Sequence, residues 1–211
     1  MSKAIENVIL REVRPKNPVA STGSFTPLRM TPYQIFSLNP NWEEQKEWIL
    51  EIGPGNGHFL CSIAASNPQK SFLAVEIRAG RFQKIAEKIK KQNLQNIILI
   101  HGNAAVCLFP LLKDKKLKEV YILFPDPWPK RRHHKHRLLQ TEWIDQLAQS
   151  LKPEGTIWTA TDHEDYARQI SSIFPQERWT RKRAESLYPT HFETKWKKMG
   201  REIYYFRFQK C

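Results

Sequence analysis

The chain has 211 residues, 40 % of them hydrophobic, enough for one sizeable core and too apolar for a disordered chain. Lys and Arg total 34 against 21 Asp and Glu, a formal net charge of +13, which favours nucleic acid, an anionic membrane surface or acidic proteins as partners. No apolar run approaches a membrane span, the charged start MSKAIENVILREVR lacks the apolar segment of a signal peptide, and Cys61, Cys107 and Cys211 are few, odd in number and without metal-ligand spacing, so a reducing cytoplasm fits best.

Residues 1–40 are rich in Pro, Ser, Thr and Asn and carry Arg11, Arg14, Lys16 and Arg29. They read as a basic N-terminal arm, either closing onto substrate or simply a frayed terminus. Residues 41–211 read as one domain. WILEI is a short strand ending in PGNG, and HFLCSIAASNP is a helix stopped by Pro68. FLAVEI is a second strand, followed by the basic amphipathic helix RFQKIAEKIKKQN, whose lysines from Lys84 to Lys91 read as a solvated outer face. NIILIHG and EVYILFP are further strands, the latter apolar enough for burial on both faces. LLQTEWIDQLAQSLK is a helix stopped by PEG, TIWTATD a strand, DYARQISSIF a short helix, and the alternating EIYYFRFQ a last, antiparallel strand. This alternation predicts an α/β fold with a mainly parallel sheet. Ligands bind such sheets at the carboxyl ends of the strands, where EIGPGNG, VEI, HGN, FPDPWP and TATD all fall.

EIGPGNG puts Gly53, Gly55 and Gly57 in the first strand-to-helix turn. A dinucleotide loop would place its third glycine one residue later, where His58 stands, and G-K-[ST] is absent, so this is no P-loop. Glu51 would repel a pyrophosphate but suits a cation or an amine. Glu76, ending the second strand, is placed for the two hydroxyls of a ribose, and Asn103 for an adenine edge. An adenosine with a cationic amino-acid end and no phosphate is S-adenosylmethionine. A lone glycine loop would mean only a tight turn; the three polar residues in register turn the reading to cofactor binding.

LFPDPWPKRRHHKHRLL, residues 123–139, is the other informative stretch. Pro125, Pro127 and Pro129 fix the backbone around Asp126 and Trp128. Lys130, Arg131, Arg132, Lys135 and Arg137 follow, interleaved with His133, His134 and His136. Such a loop can hold a polyanion while one carboxylate acts on it. The histidines have no second cluster and no cysteine nearby, so partners for phosphates or plain surface residues outweigh a metal site. Trp128 either stacks on a base or lies under the loop as core. Asp162, in TDHED, contacts substrate or caps the next helix.

E-I-G-x-G-x-G, V-E-I, G-N-A, F-P-D-P-W-P-K-x-R-H-H-K and T-D-H-E-D-Y-A together resemble the bacterial tRNA (guanine-N7-)-methyltransferases from about Trp48 to the end. The glycine loop is shared by many methyltransferases; PDPWPKRRHHKHR is specific to this family. The resemblance implies a Rossmann-like class I methyltransferase fold, with a mainly parallel seven-stranded sheet, helices on both faces and an antiparallel last strand. It implies S-adenosylmethionine as donor, the N7 of a guanosine in the tRNA variable loop as acceptor, and a monomer or homodimer. By motif position, Glu51, the three glycines, Glu76, Asn103, Ala104 and Asp126 form the cofactor site, with Asp126 as the catalytic residue. Lys130, Asp162, Thr194, Lys195, Trp196 and Lys197 contact substrate, and Arg132, His133, His134, Lys135, His136 and Arg137 meet RNA. The late T-K-[FY]-E motif of the family ends here in Lys197, a charge reversal, and REVRPKNP matches only loosely.

Overall fold

The computed structural model describes residues 9–13, 33–39, 41, 44–45, 47–112, 116–182, 184–185 and 190–211. The first run of the domain forms β3 (Glu47–Ile52), followed by α1 (His58–Ser66), β4 (Phe72–Glu76), α2 (Ala79–Lys91) and β5 (Ile97–His101). After these come α3 (Ala104–Leu111), β6 (Lys116–Leu123), a 3-10 helix over Arg131–His136, α4 (Thr141–Ser150) and β7 (Leu151–Thr161). The chain closes with α5 (Glu164–Ser172), β8 (Trp179–Lys182), α6 (His191–Lys198) and β9 (Tyr204–Lys210). Ahead of them stand β1 (Ile9–Val13) and β2 (Tyr33–Ser37).

Among the described residues nine strands form one sheet in the order β1-β2-β5-β4-β3-β6-β7-β9-β8. Strands β3 to β7 are mutually parallel, while β9 runs antiparallel to both β7 and β8. The seven strands β3 to β9 are the sheet that the resemblance implies, with its antiparallel last strand. Antiparallel β1 and β2 extend it beside β5. Tyr33, Ile35 and Phe36 of β2 are buried, so the sheet and core take in chain from before residue 41. Of the cations read into the arm, Arg14, Lys16 and Arg29 lie outside the described residues.

Side chains alternate across the strands, so each face buries its own apolar set. Leu50, Val75, Val120, Ile122 and Ile157 pack against Leu108, Ile144, Leu147, Tyr166 and Ile170 of α3, α4 and α5. Ile49, Ala74, Leu99 and Tyr121 pack against Phe59, Leu60, Phe82, Ile85 and Ile89 of α1 and α2. Each fully buried Leu or Ile stabilises the fold by about 1.5–3 kcal/mol relative to exposure. Cys61 and Cys107 are buried in these layers, and burial pushes both thiols up to about 11, as suits inert small hydrophobes. On α2, Phe82, Ile85 and Ile89 face inward while Lys84 and Lys88 face solvent.

Three local features depart from the chain reading. The helix α3 was not expected, because AAVCLFPL is apolar all round and contains Pro110 near its end; it carries no amphipathic period. PEG, expected to end α4, instead lies inside β7 as an irregularity where the pairing with β6 jumps from Leu117–Leu151 to Glu119–Thr156. A Cβ on Gly155 would sit 2.9 Å from the Lys152 carbonyl oxygen, so the kink needs glycine. Lastly, β8 and α6 are short and largely polar, which hid them in the sequence.

The strand order reverses at β3, with β4 on one side and β6 on the other. A crevice opens at the carboxyl ends of strands at such a reversal. The glycine loop after β3 and the FPDPWP loop after β6 therefore become neighbours.

Candidate active site

Glu51 and Glu76 stand at the ends of β3 and β4 and alternate onto the α1 face of the sheet. Glu76 is buried and both its oxygens accept backbone bonds: Gly55 N–H donates to Oε2 at 3.1 Å and Arg78 N–H to Oε1 at 2.8 Å. The carboxylate thus ties the glycine loop to the start of α2. Gly57, with φ +69°, leaves no room for a side chain, since a Cβ would meet Ile85 Cγ1 at 3.0 Å. Gly53, with φ +70°, faces open space, where a ligand can approach the backbone.

Glu51 is 5 % exposed, and its Oε2 has no hydrogen-bond partner. Burial first, and the neighbouring Glu76 second, push its carboxyl up to about 8. An unpaired buried carboxyl is costly. An ammonium beside it would supply the missing partner and draw the group back to its ionised form. The residues present therefore fit the cationic end of S-adenosylmethionine, with Glu76 and the open face of the loop beside it. Asn103 is also at this rim, where its side chain accepts from Ala105 N–H at 3.0 Å and caps α3. Ala104 is buried in the first turn of that helix.

The cleft continues from the glycine loop across the sheet. Its donor end is lined by Glu51, Gly53, Gly55, Phe59 and Phe124. Its far end shares Phe59, Leu123, Phe124 and Thr190 and adds Tyr121, Trp158, Glu193 and Tyr205. Flat rings line it: Phe59 and Tyr121 are 4.8 Å apart, and Tyr121 stacks with Trp158 at 6.1 Å. The Tyr205 hydroxyl is pushed up to about 12, by burial first and then by Glu193.

The FPDPWP loop leaves β6 in a strained path. Phe124 and Trp128 have φ of 54° and 44°, a region that non-glycine residues rarely adopt. Phe124 N–H donates to the Ala160 carbonyl at 2.8 Å, which holds the loop's start. Asp126 is exposed two residues further on. Its far end is held by Arg137, whose Nε donates to the Pro127 carbonyl at 2.8 Å.

Arg137 corrects the expectation that it meets RNA, because it is only 3 % exposed. Its guanidinium donates to Gln169 Oε1 at 2.6 Å and Asp165 Oδ2 at 2.7 Å, lies 3.0 Å from His134 Nε2, and covers the Tyr166 ring at 4.7 Å. The hydrogen bond from Arg137 is the chief reason that the Asp165 carboxyl is held below the usual range. This planar fork joins the catalytic-loop candidate, the 3-10 helix and α5 in one network. A run of cations in sequence cannot show which one turns inward. The others stay outside: Lys130, Arg131, Arg132, Lys135 and His136 are exposed, and His133 and His134 are partly so. Trp128, 39 % exposed, packs its ring 5.2 Å from His136 and 6.0 Å from His133, so it is not core.

Asp162 does not cap α5, whose N-cap is His163 with no side-chain cap bond. It accepts instead from Arg201 at 2.5 Å. Arg201 also lies over the Trp196 ring at 4.1 Å, linking TDHED to α6. On α6, Thr194 and Lys195 are exposed, and Lys195 sits 4.8 Å from the Trp196 ring. Lys197 Nζ donates to buried Glu193 at 2.6 Å, which holds the lysine's pKa above its ordinary value. Thr190 caps the helix by accepting from Glu193 N–H at 3.0 Å. Thr190 and Glu193 line the cleft, and neither was picked out from the sequence. The capping-box spacing T-x-x-E in PTHFE was the available signal. Among the described residues no group of three or more His, Cys, Asp or Glu is placed to hold a metal, and no helix is long and apolar enough to cross a membrane.

A family model described as a putative methyltransferase matches residues 45–206. A tRNA (guanine-N(7)-)-methyltransferase of Nitrosococcus oceani is 35 % identical over 205 residues, covering 86 % of this chain and 87 % of that protein. One from Nitrosomonas eutropha is 38 % identical over 162 residues, 74 % of this chain and 72 % of the relative. Among solved structures, the 16S rRNA methyltransferase KamB superposes with a TM-score of 0.61 at 15 % identity, covering 81 % of this chain and 91 % of that one, a likeness of fold. With the rim geometry and the motifs in agreement with these matches, the chain belongs to the tRNA (guanine-N(7)-)-methyltransferase family.

Proposed function

We propose that this protein is a cytoplasmic enzyme that methylates N7 of a guanosine in the variable loop of tRNA, with S-adenosylmethionine as donor. The observation that carries the reading is the buried, unpartnered Glu51 carboxyl at one end of a ring-lined cleft, under a rim of exposed cations. When bound, the donor supplies an electrophilic methyl group on a sulfonium. Glu51 takes its ammonium, Glu76 and the glycine loop its ribose, and Asn103 and Ala104 lie where the adenine would rest.

Guanine N7 has an in-plane lone pair and needs no general base. The chain's contribution is therefore alignment and charge. Alignment comes from fixed walls, Phe59 on α1, Tyr121 on β6 and Phe124 at the start of the loop that follows β6, and positioning of this kind can lower a barrier by about 7–11 kcal/mol. Charge enters because the purine becomes cationic as N7 is alkylated. Asp126 stands on the loop that Arg137 clamps, and an RNA lying over it would exclude water and strengthen its field on the base. Asp162 is already paired with Arg201 and supports α6. Lys130, Arg131, Arg132, Lys135 and His136 meet phosphates, and Trp128 presents a ring to a base.

The test offers labelled methyl donor to bulk tRNA, to protein extract and to small metabolites. Label in tRNA alone is expected; label only in protein or metabolites would overturn the reading.

A further inference from the structure

The cations of α2 are ordered rather than scattered. Six of them and a single carboxylate, Glu87, fall between Arg78 and Lys91. Arg81, Lys84, Lys88 and Lys91 follow at intervals of three, four and three residues, so they form one stripe along the helix, about 15 Å from end to end. The stripe borders a groove of about 380 Å³ lined by Asn56, His58, Lys84, Glu87, Lys88 and Lys91. Lys88 Nζ donates to the Asn56 carbonyl at 2.7 Å and lies 3.4 Å from His58 Nε2, which fixes one cation against the glycine loop. Lys84 and Lys91 are exposed, and among the described residues neither has a carboxylate within ion-pair distance.

The groove is continuous with the cleft: Asn56 and His58 line both, and Arg81 lines the donor end of the cleft. Cations therefore stand on two sides of the opening. The stripe follows β4, the 3-10 ridge follows β6, and β3 lies between those strands. The apolar face of α2, Phe82, Ile85 and Ile89, is buried in the core, so the helix has no hydrophobic face to lay into a lipid surface. An extended chain of phosphates matches the stripe in charge and in shape.

We propose that the α2 groove is a second phosphate-binding track for the substrate RNA. Backbone on one flank of the target nucleotide runs along Lys84, Lys88 and Lys91, while backbone on the other flank meets the ridge at Lys130, Arg131 and Arg132. The inference rests on the methyl-transfer reading above and adds a surface that the motifs leave unassigned. Holding both flanks steadies a nucleotide whose base is turned out of its stack into the cleft.

The test measures tRNA binding across salt concentrations, and steady-state methylation, for the wild-type protein and two double variants. Lys84→Gln with Lys91→Gln alters the groove. Lys116→Gln with Lys118→Gln removes the same charge from exposed positions at the start of β6, the end of the strand away from the cleft. The groove variant should flatten the salt slope by about two units and raise KM for tRNA, with kcat, donor affinity and melting temperature kept. The control variant should keep the wild-type slope. A groove variant with the wild-type slope would overturn the proposal. So would equal flattening in both variants, which would reduce the effect to net charge. An unchanged tRNA slope with lost retention on phosphatidylglycerol vesicles would give the face to a membrane and overturn it as well. In each of these cases methylation of tRNA persists and the methyl-transfer reading survives; a wild-type protein that transfers no methyl group to tRNA would remove both.

Discussion

The two halves of the rim are held in different ways. On the donor side, backbone does the holding: Glu76 bonds two main-chain N–H groups, Gly57 packs on Ile85, and the loop follows directly from β3. On the RNA side, one side chain does it: Arg137 gathers Pro127, His134, Asp165, Gln169 and Tyr166 around a loop with two positive-φ residues. The donor side is a built cavity with one buried carboxyl oxygen left without a partner. The RNA side is an exposed ridge whose shape depends on a buried guanidinium. A small ligand needs enclosure, whereas a polyanion needs accessible cations on a stable base.

If this division is right, the largest effect belongs to Asp126, the exposed carboxylate on the loop that Arg137 clamps. Asp126→Asn should lower kcat by about 10²–10³, with tRNA affinity retained, in single-turnover kinetics. Wild-type turnover in this variant would remove the electrostatic role. Next, Arg137→Ala should destabilise the fold by about 2–3 kcal/mol in urea titration, as several charge-assisted bonds are lost together. Its donor affinity should stay as in the wild type while tRNA methylation falls, and a parallel loss of donor affinity would erase the distinction between the halves.

Glu51→Gln reverses that pattern, weakening donor binding by at least about 30-fold while leaving tRNA affinity intact. The raised carboxyl also gives a pH signature. A folded-state pKa of about 8 exceeds the unfolded value, so its stabilising share is full below the ordinary carboxylate range and is lost as pH rises toward 8. Glu51→Gln should therefore raise the melting temperature of the donor-free protein at pH 8 and leave it unchanged at pH 4. Donor binding at pH 7 should release close to one proton, seen by calorimetry in buffers of different ionisation enthalpy, and the variant should release none. The smallest effect is on the ridge: Lys135→Ala should weaken tRNA binding only modestly and flatten its salt slope by about one unit.

Much of this was legible in the chain. Period and punctuation gave the alternating strands and helices, and Glu51, Glu76 and the glycines could be placed because a βα turn fixes them by sequence alone. What escaped depends on tertiary neighbours. Arg137 looks like its flanking cations until a short 3-10 helix turns it onto Tyr166. Asp162 in TDHED fits a cap equally well until Arg201, 39 residues on, claims it. Glu193 carries a local signal, the T-x-x-E capping spacing with Thr190, but nothing local says that its carboxylate faces a cleft lined from β6, β7 and β9. Gly155 read as a helix stop because the strand irregularity needing it is defined by pairing with β6.

The central claim is methyl transfer to one nitrogen of one base. Unmodified tRNA transcripts would be incubated with protein and donor, then treated with borohydride and aniline, which cut the chain at N7-methylguanosine. A single cut in the variable loop is the predicted result. Methylated tRNA with no such cut would contradict it.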